Sequence, residues 1–167
     1  MHSLSMITRT LGILITGLIS LSLPAQAENL LRGSELVDAL KQGGYVIYLR
    51  HAATNRTTVD TKRDDLSDWT KQRNLSDLGR KQSVIIGKSI RALGIPVSQV
   101  ITSPYCRCME TGKLAFGKAT VSNDLAFSIG TEKDEAERLA QALREMLGTQ
   151  PRAGTNTVLV AHTANLK

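Results

Sequence analysis

The sequence predicts an α/β fold, a three-layer sandwich with helices on both faces of a mainly parallel sheet. Residues 45–49 and 157–161 are continuous apolar runs without polar alternation, a pattern typical of strands that are covered on both faces. Residues 97–102 form a further predicted strand, and segments with apolar residues at helical spacing separate the three strands. The 167 residues are enough for one domain with a substantial core.

The first predicted element is a signal peptide over residues 1–27. Arg9 precedes an apolar segment of about 13 residues, which suits a signal peptide and is short for a membrane span. Pro24 and the small-x-small pattern Ala25-Gln26-Ala27 then provide a cleavage site. We therefore expect a mature domain of residues 28–167 that is secreted into the periplasm and is not stably inserted in a membrane. An uncleaved membrane anchor is the alternative.

The mature chain begins with a predicted helix and a predicted strand. Ser34 is expected to cap a helix that ends at Gly43 and Gly44, and the first apolar strand follows. The polar segment 52–74 is long for a plain loop, so we expect it to be functional or to contain a short helix.

The next predicted helix is capped by Ser76 and ends at Gly94. Its apolar residues recur at helical spacing and are expected to face the core. They are Leu78, Val84, Ile85, Ile90 and Leu93.

Two more helices follow the second strand. Ser103-Pro104 predicts a helix start, with serine as the cap and proline in the first turn, and this helix ends at Gly117. A short strand is predicted at residues 119–121. Thr131 and Asp134 resemble a capping box at the start of the last helix. The expected apolar face of that helix consists of Leu139, Ala142, Leu143, Met146 and Leu147.

Composition and charge restrict the possible partners. The formal net charge is +6, and many positive residues cluster between positions 62 and 91 among interleaved acids. Such a surface favours acidic partners, including phosphorylated substrates and anionic membrane faces, or is simply a solvated face. Aromatic residues make up only 4% of the chain, which weakens an interpretation as a nucleic-acid-binding protein that stacks bases. The sequence does not indicate an oligomeric state.

The two cysteines, Cys106 and Cys108, predict neither a disulfide nor a metal site. One residue separates them, so a bridge between them would close a small, strained ring. Nothing nearby supplies the further ligands that zinc requires. We expect two small, partly buried residues, and neither a metal nor another cofactor.

Basic residues end two of the apolar strands. Arg50 and His51 follow the first strand and His162 follows the last; these are the two histidines of the expected mature chain. Successive side chains of a strand face opposite ways, so the first pair shares a pocket only if the backbone turns there, which Ala52 and Ala53 permit. Ligand sites of parallel sheets lie outside the carboxyl ends of the strands. The alternative is that both histidines are structural residues of the core whose hydrogen bonds are satisfied there.

Arg107 lies in the first turn of a predicted helix, where a cation opposes the helix dipole unless an anion is bound. Guanidinium groups bind phosphate oxygens in a two-point geometry. Two arginines and two histidines around one anion indicate phosphoryl transfer to an imidazole, because a neutral imidazole is a competent nucleophile and the cations neutralise the phosphoryl charge. The expected partner is a small phosphorylated substrate. A surface cation is the alternative for Arg107 taken alone.

Four segments resemble motifs of the histidine phosphatase superfamily, which has the phosphoglycerate mutase-like fold. Arg50-His51-Ala52 resembles its R-H-G signature, and residues 103–111, SPYCRCMET, resemble its S-P-x-x-R-A-x-x-T motif. Residues 75–82, LSDLGRKQ, resemble L-T-x-x-G-x-x-Q, and residues 158–162, VLVAH, resemble the strand that carries the second histidine. The resemblance spans residues 44–166.

The resemblance implies a role for each matched residue. His51 would be phosphorylated and its phosphoryl group then hydrolysed by water. Arg50, Arg107 and His162 would complete the phosphate pocket, and Thr54 would line it.

A narrower resemblance concerns residues 72–76, QRNLS, which are similar to an exported branch of the family that acts on lipopolysaccharide core heptose phosphates. Alanine at position 52 replaces the family's glycine, which the turn tolerates unless it needs a positive φ. Cys108 stands at the usual alanine. The sequence does not identify the general acid that protonates the leaving oxygen. The candidates are Asp60, Asp64, Asp65, Asp124 and Glu132.

The end of the chain departs furthest from the family, whose members continue past the second histidine with another helix and usually a further strand. We therefore expect a truncated gene product or fragment. The expected function is an exported phosphatase that hydrolyses phosphomonoesters, including envelope sugar phosphates, through a phosphohistidine. The alternatives are a catalytically impaired phosphate-binding or envelope-interaction protein and a phosphohistidine-protein phosphatase. The predicted export disfavours the latter, and it disfavours a mutase further.

Overall fold

The structure, a computed structural model, describes residues 30–166, and the chain from Leu31 onward forms one compact unit. The predicted signal peptide lies outside the described residues. The helices are α1 (Gly33–Gln42), α2 (Asp77–Ala92), α3 (Cys106–Phe116) and α4 (Lys133–Gly148). The strands are β1 (Val46–Arg50), β2 (Val97–Thr102), β3 (Thr120–Val121) and β4 (Asn156–Ala161). Within this range, no helix combines the length and apolar character needed to cross a bilayer.

The four strands form one parallel sheet in the order β1-β4-β2-β3. Arg50 pairs with Ala161, and Thr102 pairs with Val160, so β1, β4 and β2 end at the same edge of the sheet. This arrangement confirms the predicted α/β fold. Every residue of β4 is buried, as its apolar run predicts, whereas β1 is only partly buried because it forms one edge of the described sheet.

The core has two layers, one on each face of the sheet. Alternate residues of β4 point to opposite faces, as the pleat of a strand requires. One layer contains Val100, Cys108, Val158 and Val160, and the other contains Leu125, Leu143, Leu159 and Ala161. Burial of each larger apolar side chain contributes roughly 1.5–3 kcal/mol. Cys108 belongs to α3 and Leu143 to α4, so these two helices cover opposite faces of the sheet, as a three-layer sandwich requires.

The helix caps agree with the sequence at one position and differ at three. Ser76 caps α2 as predicted, because its side chain accepts a hydrogen bond from the backbone of Gly79. The predicted caps at Ser34, Ser103 and Thr131 are wrong. α1 begins one residue before Ser34, and α3 and α4 begin beyond the other two predicted caps. The hydroxyl of Thr131 instead donates to a backbone carbonyl, so it forms a turn and not a capping box.

The buried face of α2 also differs from the predicted one. Leu78 and Ile85 are each 60% exposed, and the fully buried positions are Gly79, Ser83 and Gly87. A side chain at Gly87 would overlap the carbonyl oxygen of Ala115 in α3. The helices therefore pack through small residues that allow their backbones to approach closely, and apolar spacing alone does not reveal such a face.

This packing predicts that Gly87→Ala destabilises the protein. The added methyl group must displace backbone atoms of α3, which costs about 1–3 kcal/mol of unfolding free energy. Gly148→Ala is the matched control, because a methyl group there has no neighbour within 4 Å. Urea unfolding of both variants measures the effect, and equal stabilities would contradict the close packing.

Candidate active site

The two histidines lie together at the carboxyl edge of the sheet. His51 follows β1 and His162 follows β4, the strand that pairs with it. Their ring centroids are 5.4 Å apart, and the rings meet edge to face at 66°. Both side chains are buried, with 5% and 1% of their surface exposed. The parallel register therefore brings together two residues that are distant in the sequence.

The backbone turns directly after His51, and side chains of two helices satisfy the turn. The amide of Ala52 donates to Thr111 Oγ1 at 3.1 Å, and the amide of Ala53 donates to Gln82 Oε1 at 3.1 Å. Among the described residues only glycines have a positive φ, so alanine at position 52 imposes no strain. The predicted backbone turn after β1 is therefore present, and side chains from α2 and α3 stabilise it.

The segment at the start of α2 holds the same turn from the other side. The carbonyl oxygen of Ala53 accepts hydrogen bonds from the amide and the hydroxyl of Ser76, at 3.0 and 3.2 Å. A side chain at Gly79 would overlap this carbonyl oxygen. Three residues of the predicted L-S-x-x-G-x-x-Q segment, including Gln82, therefore contact the backbone next to His51, which explains why they occur at this spacing.

His51 is held in one tautomer, which leaves one ring nitrogen with a free lone pair. Its Nδ1 lies 2.9 Å from the carbonyl oxygen of Ala52, which can only accept, so Nδ1 carries the proton and Nε2 keeps its lone pair. Burial, together with the charges of Arg107, Arg50 and Arg73, lowers the pKa of His51 to about 4, although the hydrogen bond to Ala52 opposes this shift. The imidazole is therefore neutral at physiological pH.

Two hydrogen bonds and two aromatic rings hold His162 in place. Its Nε2 lies 2.9 Å from the hydroxyl of Ser103, and the hydroxyl of Tyr48 donates to its carbonyl oxygen at 2.8 Å. The rings of Tyr105 and Phe127 pack edge to face against it, with centroids at 5.2 and 5.1 Å. Burial, followed by the charge of Arg107, lowers the pKa of His162 to about 2. This imidazole is also neutral.

Arg107 is a fully buried cation, and two of its nitrogen atoms have no hydrogen-bond partner. Its Nη1 pairs with Asp60 Oδ1 at 2.9 Å, and its guanidinium lies 4.4 Å from the ring centroid of Tyr105. Its Nε and Nη2 are buried and have no hydrogen-bond partner. An unsatisfied buried donor costs about 1–3 kcal/mol, so two such donors on one side chain favour an anion beside the histidines.

Asp60 is the predicted acid candidate that contacts the site. Its Oδ1 accepts from Arg107 and from the amide of Arg73, at 2.9 and 2.8 Å. Asp65 instead accepts from Ser67, and Asp124 pairs with an arginine of α4. Asp64 and Glu132 are exposed. The structure thus places one of the five candidate acids against the arginines.

The other two predicted pocket residues have different positions. Arg50 is the last residue of β1 and is exposed, but its charge lowers the pKa of both histidines. Thr54 forms a backbone bridge with Leu75, and no hydrogen bond joins its described side chain to the histidines or to Arg107. Its predicted role in the pocket stays a prediction.

Cys106 is partly buried as expected, whereas Cys108 is fully buried, because its thiol packs in the core between α3 and the sheet. Burial raises the pKa of the Cys108 thiol to about 12, so it stays protonated beside His162 Nε2, at 3.6 Å. Within residues 30–166, no group of three or more metal-binding side chains is close enough to hold an ion.

Sequence reasoning missed several residues of this site. Gln72 is 2% exposed; its Nε2 donates to the Leu66 carbonyl and its Oε1 accepts from the Cys106 amide, both at 2.9 Å. It thereby ties the polar loop to the start of α3. From other irregular segments, Phe127 packs on His162 and the backbone amide of Arg73 donates to Asp60. The only available signal was the QRNLS segment, which resembled a family branch without indicating contacts.

The two neutral histidines predict that stability falls on mild acidification. Their pKa values are lower in the folded protein than the usual 6.5, so the unfolded chain binds more protons below about pH 6.5. The free energy of unfolding should therefore fall, on the order of 1–3 kcal/mol, between pH 7 and 5. Urea unfolding at pH 8, 7, 6 and 5 measures it. A constant value from pH 7 to 5 would contradict the burial of neutral imidazoles.

Comparison with known proteins identifies the fold. No protein-family model matches the chain, and a search of curated proteins finds no match. The ecdysone phosphate phosphatase of Bombix mori, solved with tungstate, has a TM-score of 0.54 at 19% identity, over 72% of this chain and 73% of that chain. Native mycobacterial glucosyl-3-phosphoglycerate phosphatase has a TM-score of 0.52 at 17% identity, over 74% and 76%. Its complex with VO3 has a TM-score of 0.50 at 17% identity, over 74% and 78%. These similarities confirm the predicted phosphoglycerate mutase-like fold.

Proposed function

We propose that the chain is a phosphomonoesterase of the histidine phosphatase superfamily and that His51 accepts the phosphoryl group. One observation carries this proposal. Two neutral, buried imidazoles lie beside Arg107, a buried guanidinium whose Nε and Nη2 have no partner. The fold gives further support, because its solved neighbours are phosphatases that bind oxyanions such as tungstate and VO3.

The first chemical step follows from the atoms that remain free. The free donors of Arg107 bind phosphoryl oxygens and neutralise their charge. The Nε2 lone pair of His51 then forms a bond to phosphorus while the bond between phosphorus and the ester oxygen breaks. The ester oxygen leaves as an alcohol after it takes up a proton. Asp60 is the candidate acid whose carboxyl group contacts the site.

The second step regenerates the enzyme. Water attacks the phosphohistidine and returns a proton to the acid that protonated the ester oxygen. The bond between phosphorus and Nε2 breaks, its electron pair returns to Nε2, and inorganic phosphate leaves. The hydrogen bond from Nδ1 to the Ala52 carbonyl keeps His51 in the same tautomer and orientation through both steps. Because the imidazole leaves as a neutral group, no additional base is needed at His51.

The substrate is proposed from the sequence as well as from the site. The predicted signal peptide and the QRNLS segment favour an exported enzyme that acts on envelope sugar phosphates.

A second candidate function is phosphate binding without turnover. One observation favours it: Oδ1 of Asp60, the candidate acid, already accepts hydrogen bonds from Arg107 and from the Arg73 amide.

Measurement of phosphate release separates these functions. The purified full chain is incubated with a panel of phosphomonoesters, including sugar phosphates, and with a phosphohistidine-containing protein. Release of inorganic phosphate by the wild type, and not by His51→Ala, supports the phosphomonoesterase. Saturable binding of inorganic phosphate without release on any substrate supports the second function. Absence of both binding and release would refute both.

A further inference from the structure

A second arginine, Arg73, reaches the same site from the loop that precedes α2. Its side chain is partly buried, and its Nε is shielded from solvent without a hydrogen-bond partner. It shares this property with Nε and Nη2 of Arg107. Unpartnered buried guanidinium donors are therefore found on both arginines.

The backbone of Arg73 is attached to Arg107 through one carboxylate oxygen. Oδ1 of Asp60 accepts from the Arg73 amide at 2.8 Å and from Arg107 Nη1 at 2.9 Å. The neighbouring Gln72 accepts from the amide of Cys106, the residue before Arg107. The position of Arg73 relative to Arg107 is thus fixed by two independent contacts, although they belong to different segments of the chain.

The positive charges of Arg73 and Arg107 repel each other unless an anion binds to both. Burial, and then the charge of Arg107, lowers the pKa of Arg73. The charge of Arg73 in turn lowers the pKa of both histidines. Asp60 neutralises part of this charge by pairing with Arg107. Desolvated like charges repel each other strongly, and the attraction of both cations to a bound phosphate dianion would offset this repulsion.

We propose that Arg73 is a substrate-binding residue whose guanidinium binds the phosphoryl group together with Arg107. This inference rests on the proposed function and extends it to a residue outside the five predicted site residues. The two guanidinium groups bind different oxygens of one phosphoryl group, so they fix its orientation toward Nε2 of His51. The loop between β1 and α2 then contributes directly to binding.

The side chain of Arg73 can be tested separately from its backbone. Its contact with Asp60 uses the amide, which any substituted residue except proline retains. Arg73→Gln removes the charge and the guanidinium donors, and Arg73→Lys keeps the charge but not the planar fork. Lys71→Gln is the matched control, because Lys71 is an exposed cation of the same loop, and its substitution changes the net charge equally.

The experiment measures the Kd of inorganic phosphate and of tungstate by calorimetry on the full chain, with urea unfolding in parallel. Arg73→Gln should weaken binding about 10- to 100-fold, the effect of losing hydrogen bonds to a charged ligand. Arg73→Lys should fall between this variant and the wild type, and Lys71→Gln should bind as the wild type does. Without phosphate, Arg73→Gln should be at least as stable as the wild type, because a repulsive charge is gone.

Three results would overturn the inference. One is a Kd of Arg73→Gln equal to that of Lys71→Gln. Another is a loss of stability without phosphate that accompanies the loss of binding, which indicates a structural role. The third is a wild type that binds neither anion. Failure of the proposed function is distinguishable, because it is read from phosphate release: a wild type that hydrolyses phosphomonoesters while Arg73→Gln binds normally refutes only this inference.

Discussion

His51→Ala is expected to reduce phosphomonoester hydrolysis by at least about 10³-fold, because it removes the atom that we propose forms the covalent intermediate. Nε2 of His51 has its lone pair free, since Nδ1 donates to the Ala52 carbonyl. Nε2 of His162 is instead occupied by the Ser103 hydroxyl at 2.9 Å. Steady-state kinetics with a sugar phosphate measure the loss in kcat.

His162→Ala is the matched variant, because it removes the other imidazole of the same site. It should slow turnover but still allow a phosphoryl group to form on His51. Both variants should bind tungstate, since Arg107 remains in place. His51→Ala with unchanged kcat, or with lost activity together with lost tungstate binding, would contradict a specific nucleophilic role.

Arg107→Met is expected to affect both stability and activity. Removal of this fully buried cation leaves the carboxylate of Asp60, whose side chain is 6% exposed, without its charge partner. Loss of one partner of a buried ion pair costs about 3–5 kcal/mol of unfolding free energy. Loss of the free donors that bind the phosphoryl group should reduce kcat/KM by about 10²- to 10³-fold.

A double substitution separates these two effects. Asp60→Asn in the Arg107→Met background removes the uncompensated charge while its amide oxygen still accepts from Arg73 N. Most of the lost stability should return, as urea unfolding would show, whereas tungstate binding, which needs no acid at position 60, should stay weak. Recovery of tungstate binding together with stability would contradict a role of Arg107 in binding the phosphoryl group.

The sequence predicted the fold because the strands and their ends leave strong signals. The run at residues 157–161 forms the fully buried strand β4, and Ser76 caps α2 as expected. The apolar face of α2 was predicted wrongly, because its contact with α3 depends on Gly79, Ser83 and Gly87. Small residues leave no hydrophobic period, so their packing becomes visible only when the partner helix is in place.

The site was predictable where topology decides it and not where loops do. The parallel register alone brings His51 close to His162, since both follow paired strands. Asp60 and Arg73 lie in an irregular segment, and the contact of Asp60 with Arg107 spans 47 residues of sequence. Side-chain contacts of such segments follow no period, so sequence spacing could neither select Asp60 from five candidate acids nor place Arg73 in the site.

Locating the transferred phosphoryl group during turnover tests whether His51 is the nucleophile. The enzyme is mixed with a labelled phosphomonoester, quenched within milliseconds under alkaline conditions, and digested for mass spectrometry. We expect an acid-labile label on His51, formed and lost at rates that match turnover. A label on His162, or hydrolysis without any covalent intermediate, would contradict it.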